Sequence, residues 1–228
     1  MTTSVTAEPA AHTPSAAASS SRIRVLLVCG AAAGPLFLGV AALQATFREG
    51  FDLTRHPLSL LSLGELGWIQ AANFVVSGLL SVAAAVGLRR VLHPGRGGIW
   101  GPLLIGAYGV GLVVAGIFPA DPSMGFPAGA PDGMANHLSW HAALHGVGTM
   151  LAFPALILAT FVLACRFAAL GRRIWAVCSV VAGAGALALV AWPDQDGISL
   201  RLAAGAALTF GWLAAVAARE VIQLRAKA

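Results

Sequence analysis

The stretch WHAALHGVGTMLAFPALILATFVLAC, residues 140–165, decides the fold of this chain. It contains no Asp, Glu, Lys or Arg, and it is longer than the about 20 predominantly apolar residues that a helix needs to cross a bilayer. The stretch therefore predicts a membrane-spanning helix. Its first turns nevertheless contain two histidines, His141 and His145, and His137 lies one turn before them.

The rest of the chain has the composition of an integral membrane protein. Hydrophobic residues make up 58% of the 228 residues and charged residues only 10%, whereas about a quarter of the residues of a soluble domain are charged. The composition therefore excludes a soluble protein. Further apolar stretches are long enough to span a membrane. They lie at about 24–47, 68–89, 98–119, 173–192 and 199–219.

We therefore predict an all-α integral membrane protein, a six-transmembrane-helix bundle over residues 23–220. Residues 1–22 are rich in Ala, Ser, Thr and Pro and have no apolar run, so they predict a disordered N-terminal tail. Residues 221–228 are predicted to form a short cytoplasmic tail.

The basic residues between the apolar stretches predict the orientation. Eleven of the fourteen lie in the two tails and in the connections near 89–97 and 166–173, and three lie in the other connections. Because cytoplasmic loops carry an excess of Lys and Arg, both termini are expected in the cytoplasm. We therefore predict a multi-pass protein of the cell membrane whose partner is the surrounding lipid bilayer. The net charge of +5 does not predict nucleic-acid binding, since these residues are not clustered on a soluble face.

The outer ends of the third and fourth spans contain residue types that commonly act as metal ligands. Pro119 and Pro122 bracket Asp121, so the third span must end there with a carboxylate. Histidines at i and i+4 on a helix can share one ion, and His141 and His145 with Asp121 would form an N/N/O set suited to zinc or iron. Such an ion would lower the pKa of a bound water and produce a nucleophile.

Two other interpretations of these histidines stay open. They could hydrogen-bond the loop or Asp121 in a purely structural role, or they could form a proton or ligand site without a metal. His137 is expected to lie still in the loop, so that the useful pair is His141 and His145.

The first outer connection supplies two more residues to the candidate catalytic set, which is Asp121, His141, His145, Glu65 and Ser62. A serine near His and Asp suggests nucleophilic catalysis. The chain has no GxSxG elbow there, however, and a serine that caps a short interfacial helix is the alternative. That helix is predicted to begin at His56-Pro57, since proline at the first helical position loses no needed donor.

Small residues at four-residue spacing predict where helices approach closely. Ala107, Gly111 and Ala115 form such a series in the third span, and Ala182 and Ala186 repeat it in the fifth. This pattern lets two backbones pack together in a membrane. The partner helix can belong to the same chain, to a second copy in a homo-oligomer, or to another membrane protein.

With these residues in hand, the chain resembles a known family. The runs RHPLSLLSLGELGWIQAANFVVSG (55–78), GIFPADPSMGFPAG (116–129) and SWHAALHGVG (139–148) are together similar to the bacterial membrane family known as domain of unknown function 998. The resemblance implies a six-helix integral membrane protein without an established activity. It also implies recurring elements at Ser62, Glu65, Leu66, Gly67, Asp121, His141 and His145.

Two functions are compatible with this pattern. The first is an outer-facing, metal-dependent hydrolase that acts on lipid or amphipathic substrates. The second is a non-enzymatic small transporter, sensor or membrane partner subunit that uses the His/Asp cluster as a proton or ligand site. An incomplete metal set argues against the enzyme. Against a transporter, the chain has no ionisable residue at the middle of a span and no obvious inverted repeat.

Overall fold

The computed structural model describes residues 16–226, apart from residues 136 and 195. The described residues form six long α-helices in chain order: α1 Ala16–Phe47, α2 Gly67–Leu92, α3 Trp100–Ile117, α4 Trp140–Ala169, α5 Arg173–Val190 and α6 Ile198–Ala226. A short 3-10 helix, Leu58–Ser62, lies between α1 and α2. All six long helices are long and apolar enough to cross a membrane, so the predicted six-helix membrane fold is confirmed.

The ends of the first and last helices differ from the prediction. Helix α1 begins at Ala16, so residues 16–22 are helical and the prediction of a disordered tail is wrong for them. Alanine has the highest helix propensity of all residues, and three alanines begin this helix. Helix α6 continues to Ala226 because its buried face extends into the predicted tail, where Val221 is 7% exposed. The remaining tail residues, 1–15 and 227–228, lie outside the described part.

The helices are arranged in a ring in chain order. Each helix packs against the next one, and α1 closes the ring by packing against α6. Short connections favour this arrangement because consecutive helices become antiparallel neighbours. Helices α4 and α6 have few contacts with each other, and α5 packs against both.

Paired glycines bring α3 into backbone contact with both of its neighbours. A Cβ atom on Gly78 of α2 would lie 2.6 Å from the carbonyl oxygen of Gly109, and one on Gly111 would lie 2.5 Å from that of Gly148 of α4. Neither distance leaves room for a side chain. Residues as small as glycine permit two helices to approach this closely, and the resulting van der Waals contact stabilises the pair in a membrane.

The predicted small-residue faces are occupied within the chain. A Cβ on Gly148 would lie 2.9 Å from the amide nitrogen of Ala115, so the series with Gly111 faces α4. Ala182 and Ala186 of α5 are buried, and Ala186 lies beside Gly205 of α6. A homo-oligomer or a membrane-protein partner would have to use other faces, and its existence stays a prediction.

The contact between α1 and α2 contains buried amides. Asn73 of α2 donates to the backbone oxygen of Phe37 across 3.0 Å. Gln44 of α1 donates to Oε1 of Gln70 across 2.7 Å, and Gln70 is fully buried. Interhelical hydrogen bonds of this kind hold membrane helices together.

Candidate functional site

The end of α3 leaves carbonyl oxygens that its own helix cannot pair. In an α-helix the oxygens of Ala115 and Phe118 would accept from the N–H groups four residues later. Those positions are Pro119 and Pro122, which have no N–H. A carbonyl that is buried without a partner destabilises a protein, so a donor from elsewhere is required.

His145 of α4 supplies this donor. Its Nδ1 atom lies 2.9 Å from the oxygen of Ala115 and 2.9 Å from that of Phe118, and the side chain is buried. Because both partners can only accept, Nδ1 must be the protonated nitrogen, as the hydrogen-bond network assigns it. The imidazole thus caps the C-terminus of the neighbouring helix.

His141 makes a related contact one turn earlier. Its Nδ1 atom lies 3.0 Å from the oxygen of Pro119 and 3.0 Å from Oγ of Ser139. The ring is also 4.0 Å from Oδ1 of Asp121. The two histidines therefore bind successive carbonyl groups at the end of α3, and only His141 lies beside the carboxylate.

Ser139 connects Asp121 to α4. Oδ2 of Asp121 accepts from the Ser139 backbone N–H across 2.8 Å, and Oδ1 accepts from the Ser139 hydroxyl across 2.6 Å. The hydroxyl and then the N–H of Ser139 lower the pKa of Asp121 below its ordinary value, and the nearby His141 adds to this. The serine is the N-cap of α4 and accepts from the amide of Ala142. Its role could have been predicted, because Ser is preferred at N-caps and directly precedes the apolar run.

The structure does not bring the other two candidates into this network. Ser62 donates its hydroxyl to the backbone oxygen of Ser59 across 2.6 Å, inside the short 3-10 helix. Glu65 is exposed. Among the described residues, neither side chain forms a hydrogen bond or ion pair with Asp121, His141 or His145.

The predicted metal set is not assembled. In the described part of the chain, no group of three or more His, Cys, Asp and Glu side chains could hold a metal ion. Asp121 is bound to Ser139, and only His141 lies near the carboxylate, with 4.0 Å between Nδ1 and Oδ1. His137 is exposed in the loop before α4, as expected. The hydrogen bonds to the end of α3 are compatible with a structural role of the histidines, and the metal-binding and proton-site interpretations stay predictions.

A cavity of about 350 Å³ lies inside the ring beside His145. Residues of α1, α2, α3, α4 and α6 line it, and Pro57, Leu58 and Ser59 of the first connection lie at one end. Along α4 it extends from His145 to Leu156, which is about 16 Å at the helical rise per residue. Met150 also lines the cavity and is 68% exposed, so the cavity reaches the surface beside α4.

Aromatic side chains form the inner wall of this cavity. The ring of Phe37 stacks on that of Phe210, with 4.8 Å between the ring centres. Tyr108 lies edge-on to Phe210 with 5.3 Å between the ring centres, and Phe74 lies edge-on to His145 with 6.2 Å. Tyr108 is 3% exposed, and its hydroxyl has no hydrogen-bond partner among the described residues. A buried hydroxyl without a partner is unfavourable. Because the hydroxyl oxygen is not exposed, Tyr108 lines the cavity with its ring.

Comparison with known proteins identifies the family. A family model described as a protein of unknown function, DUF998, matches residues 31–219. The chain belongs to the DUF998 family. No curated protein and no solved structure matches the chain. The matched region of this DUF998 protein contains the cavity, the capping histidines and Asp121.

The three motifs of the DUF998 chain are joined at one end of the bundle. His56 of the first motif lies 2.9 Å from the oxygen of Met124 in the second, and its other ring nitrogen accepts from the amide of Asp52. Asp121 joins the second motif to Ser139 of the third. His56 was predicted only as a helix start. Its buried position shows that it fixes two connections to each other.

Proposed function

We propose that this DUF998 protein is a non-enzymatic membrane protein that binds a lipid-like molecule in the cavity inside its helical ring. The observation that carries the proposal is the cavity of about 350 Å³, whose wall is mainly apolar and aromatic and contains only a few polar side chains, namely Ser59, His145, Thr149 and Thr209. Small-molecule sites have about 300–1,000 Å³ and apolar walls with few polar groups. The cavity has both properties.

The shape and position of the cavity favour an amphipathic molecule with one long apolar chain. Its length of about 16 Å along α4 and its aromatic wall suit such a chain. The surface beside Met150 would lie within the membrane if α4 spans it, so a ligand could enter from the bilayer.

The arrangement of the histidines supports a binding protein more than a hydrolase. A metal-dependent hydrolase needs several ligands directed at one ion and an open position for water. Here no third His, Cys, Asp or Glu side chain of the described residues completes a metal-binding group with His141 and His145, and Ser62 is held inside its own turn. No residue of the predicted set is positioned as an activated nucleophile.

A pair of variants on α6 tests the proposal. Ala206 lines the cavity and is buried, whereas its neighbour Ala207 is exposed. Photo-crosslinking with a diazirine-bearing long-chain alcohol in nanodiscs, mapped by mass spectrometry, should label peptides of α4 and α6 in the wild type. Ala206→Phe should reduce this labelling by about tenfold, because the added ring overfills the space. Ala207→Phe should leave it unchanged. Equal labelling of wild type and Ala206→Phe would overturn the proposal.

We also propose that the connections at 48–66 and 118–139 face the outside of the cell membrane, because of the distribution of Lys and Arg. Single cysteines at Thr54 and at Arg96, both exposed, would be introduced into a variant without Cys29, Cys165 and Cys178. An impermeant thiol reagent should label Thr54→Cys on intact cells and Arg96→Cys only after lysis. The opposite pattern would invert the orientation.

A further inference from the structure

A second, separate groove lies on the outside of the bundle between α1 and the start of α2. It has a volume of about 380 Å³ and is lined by Val40, Leu43, Gln44, Phe47, Arg48, Leu66 and Ile69. The α1 residues among them follow the i, i+3, i+4, i+7 spacing of one helix face. Phe47 is 82% exposed and Leu43 61% exposed, so this apolar face is presented to the surroundings of the helix.

The groove ends at an arginine whose charge has no counter-ion within the described part of the chain. Arg48 donates from Nη2 to the backbone oxygen of Leu63, and its guanidinium lies 5.8 Å from the centre of the Phe126 ring. Its Nη1 atom is buried, and no described residue gives it a hydrogen-bond partner. Among the described residues, no carboxylate forms an ion pair with Arg48. A partly buried cation without a carboxylate partner is a favourable position for an anion from outside the chain.

We infer that this groove binds a phospholipid, with its phosphate on the Arg48 guanidinium and an acyl chain along Leu43 and Phe47. Arginine presents several donors in a planar fork that matches phosphate oxygens. The position supports a lipid over a free ion, because the cation lies at the end of a membrane helix and continues into an apolar face. Gln44 is already bound to Gln70, so Arg48 is the residue that distinguishes the ligand.

The carboxylates nearest in the chain do not neutralise this site. Glu49 follows Arg48 and Glu65 precedes Leu66, but both side chains are exposed. Exposed charges are screened by salt and water. The phosphate would therefore meet the arginine at short range, where the unscreened interaction is stronger. The site is independent of the cavity inside the ring, and its test does not depend on the proposed function.

Native mass spectrometry of the detergent-solubilised protein tests the inference with three probes: dipalmitoyl phosphatidylglycerol, dipalmitoylglycerol without a phosphate, and inorganic phosphate. The wild type should retain the phosphatidylglycerol, and Arg48→Gln should weaken its binding by about tenfold, since charge-assisted hydrogen bonds are about twice as strong as neutral ones. Arg55→Gln is the matched control, because Arg55 is exposed on the same connection and should bind the lipid like the wild type.

A second variant separates binding from folding. Arg48→Gln also removes the hydrogen bond to Leu63, so Leu66→Glu is used beside it. Leu66 is 52% exposed and lines the groove, and a carboxylate there should repel the phosphate while the contact of Arg48 with Leu63 remains. The inference is overturned if both variants bind phosphatidylglycerol within twofold of the wild type. It is also overturned if dipalmitoylglycerol binds equally well, or if millimolar inorganic phosphate displaces the lipid.

Discussion

Helix α4 faces α3 with Gly148 and faces the cavity with Met150 and Phe153. On the first side the backbones of α3 and α4 are in direct contact, and a single added carbon would lie 2.7 Å from a carbonyl oxygen. On the second side the large side chains stand beside open space, and α6 hardly touches α4. One helix therefore takes part in a closely packed interface and in the wall of a cavity.

This difference separates the part of the bundle that fixes its geometry from the part that can accept a ligand. The close interface needs residues without side chains, because packing in a membrane depends on van der Waals contact between backbones. The cavity needs bulky apolar residues that leave space between them. His145 belongs to both regions, since it caps α3 and also lines the cavity.

The largest expected effect comes from adding one methyl group to the close interface. Gly148→Ala should lower the stability of the folded protein by about 2–3 kcal/mol, because overpacking forces the backbones apart. A Cβ atom on Gly146, two residues earlier, would meet no neighbouring described atom within 4 Å. Gly146→Ala should keep or raise Tm, because alanine favours the helix by up to about 1 kcal/mol. Thermal unfolding in a mild detergent measures both variants, and equal Tm changes would contradict the close contact.

The next effect tests the residue that lies in both regions. His145→Ala should lower the free energy of unfolding by about 2 kcal/mol, since the oxygens of Ala115 and Phe118 lose their donor and remain buried. His137→Ala should have no effect, because His137 is exposed in the loop. Tm values of the purified variants compare the two histidines.

Metal content measured on the same samples separates capping from ligation. A capping histidine lowers Tm when it is removed, and the zinc and iron content of the protein does not change. A loss of stoichiometric metal in His145→Ala or His141→Ala would show that the other ring nitrogen, Nε2, binds an ion and would support the metal site that the histidine spacing predicted.

The sequence predicted the helices well because the length of an apolar stretch is a local property that a bilayer requires. It also indicated that α3 must end near Pro119 and that Asp121 lies close to His141. The donor for the free carbonyl groups was not predictable, since it depends on which neighbouring helix lies beside them. The i, i+4 histidines fit a metal site and a helix cap equally well. Only the packing of α4 against α3 reveals the cap, because it places Nδ1 of both rings on carbonyl oxygens at the end of α3. The cavity was also missed, because it arises from how α6 stands relative to α4.

A smaller effect concerns Asp121, which follows the end of α3 beside the close interface. Its pKa is lowered by the Ser139 hydroxyl and N–H, so the folded state prefers the carboxylate. This stabilisation is complete above the ordinary carboxyl pKa of 3.8 and is lost as the pH falls through the lower pKa of the folded protein. Asp121→Asn should cost about 1 kcal/mol near neutral pH and should flatten the fall of Tm in acid. The exposed Asp132 provides the control, Asp132→Asn, which should retain the wild-type acid profile.

The smallest effect, and one of unusual sign, is expected in the cavity wall at Tyr108. A Tyr→Phe substitution usually destabilises a protein because a hydrogen bond is lost, but the Tyr108 hydroxyl has no partner to lose among the described residues. Tyr108→Phe should therefore leave Tm unchanged or raise it slightly in the absence of a ligand, since burying an unpaired hydroxyl is unfavourable. The hydroxyl oxygen is not exposed to the cavity, so a ligand should not reach it. Dodecanol, which has an oxygen, and dodecane, which has none, should therefore each compete with the photo-crosslinker equally well in both proteins. A drop in Tm without ligand would mean that the hydroxyl has a partner in the empty protein, and a loss of competition by dodecanol alone would mean that the hydroxyl reaches the ligand.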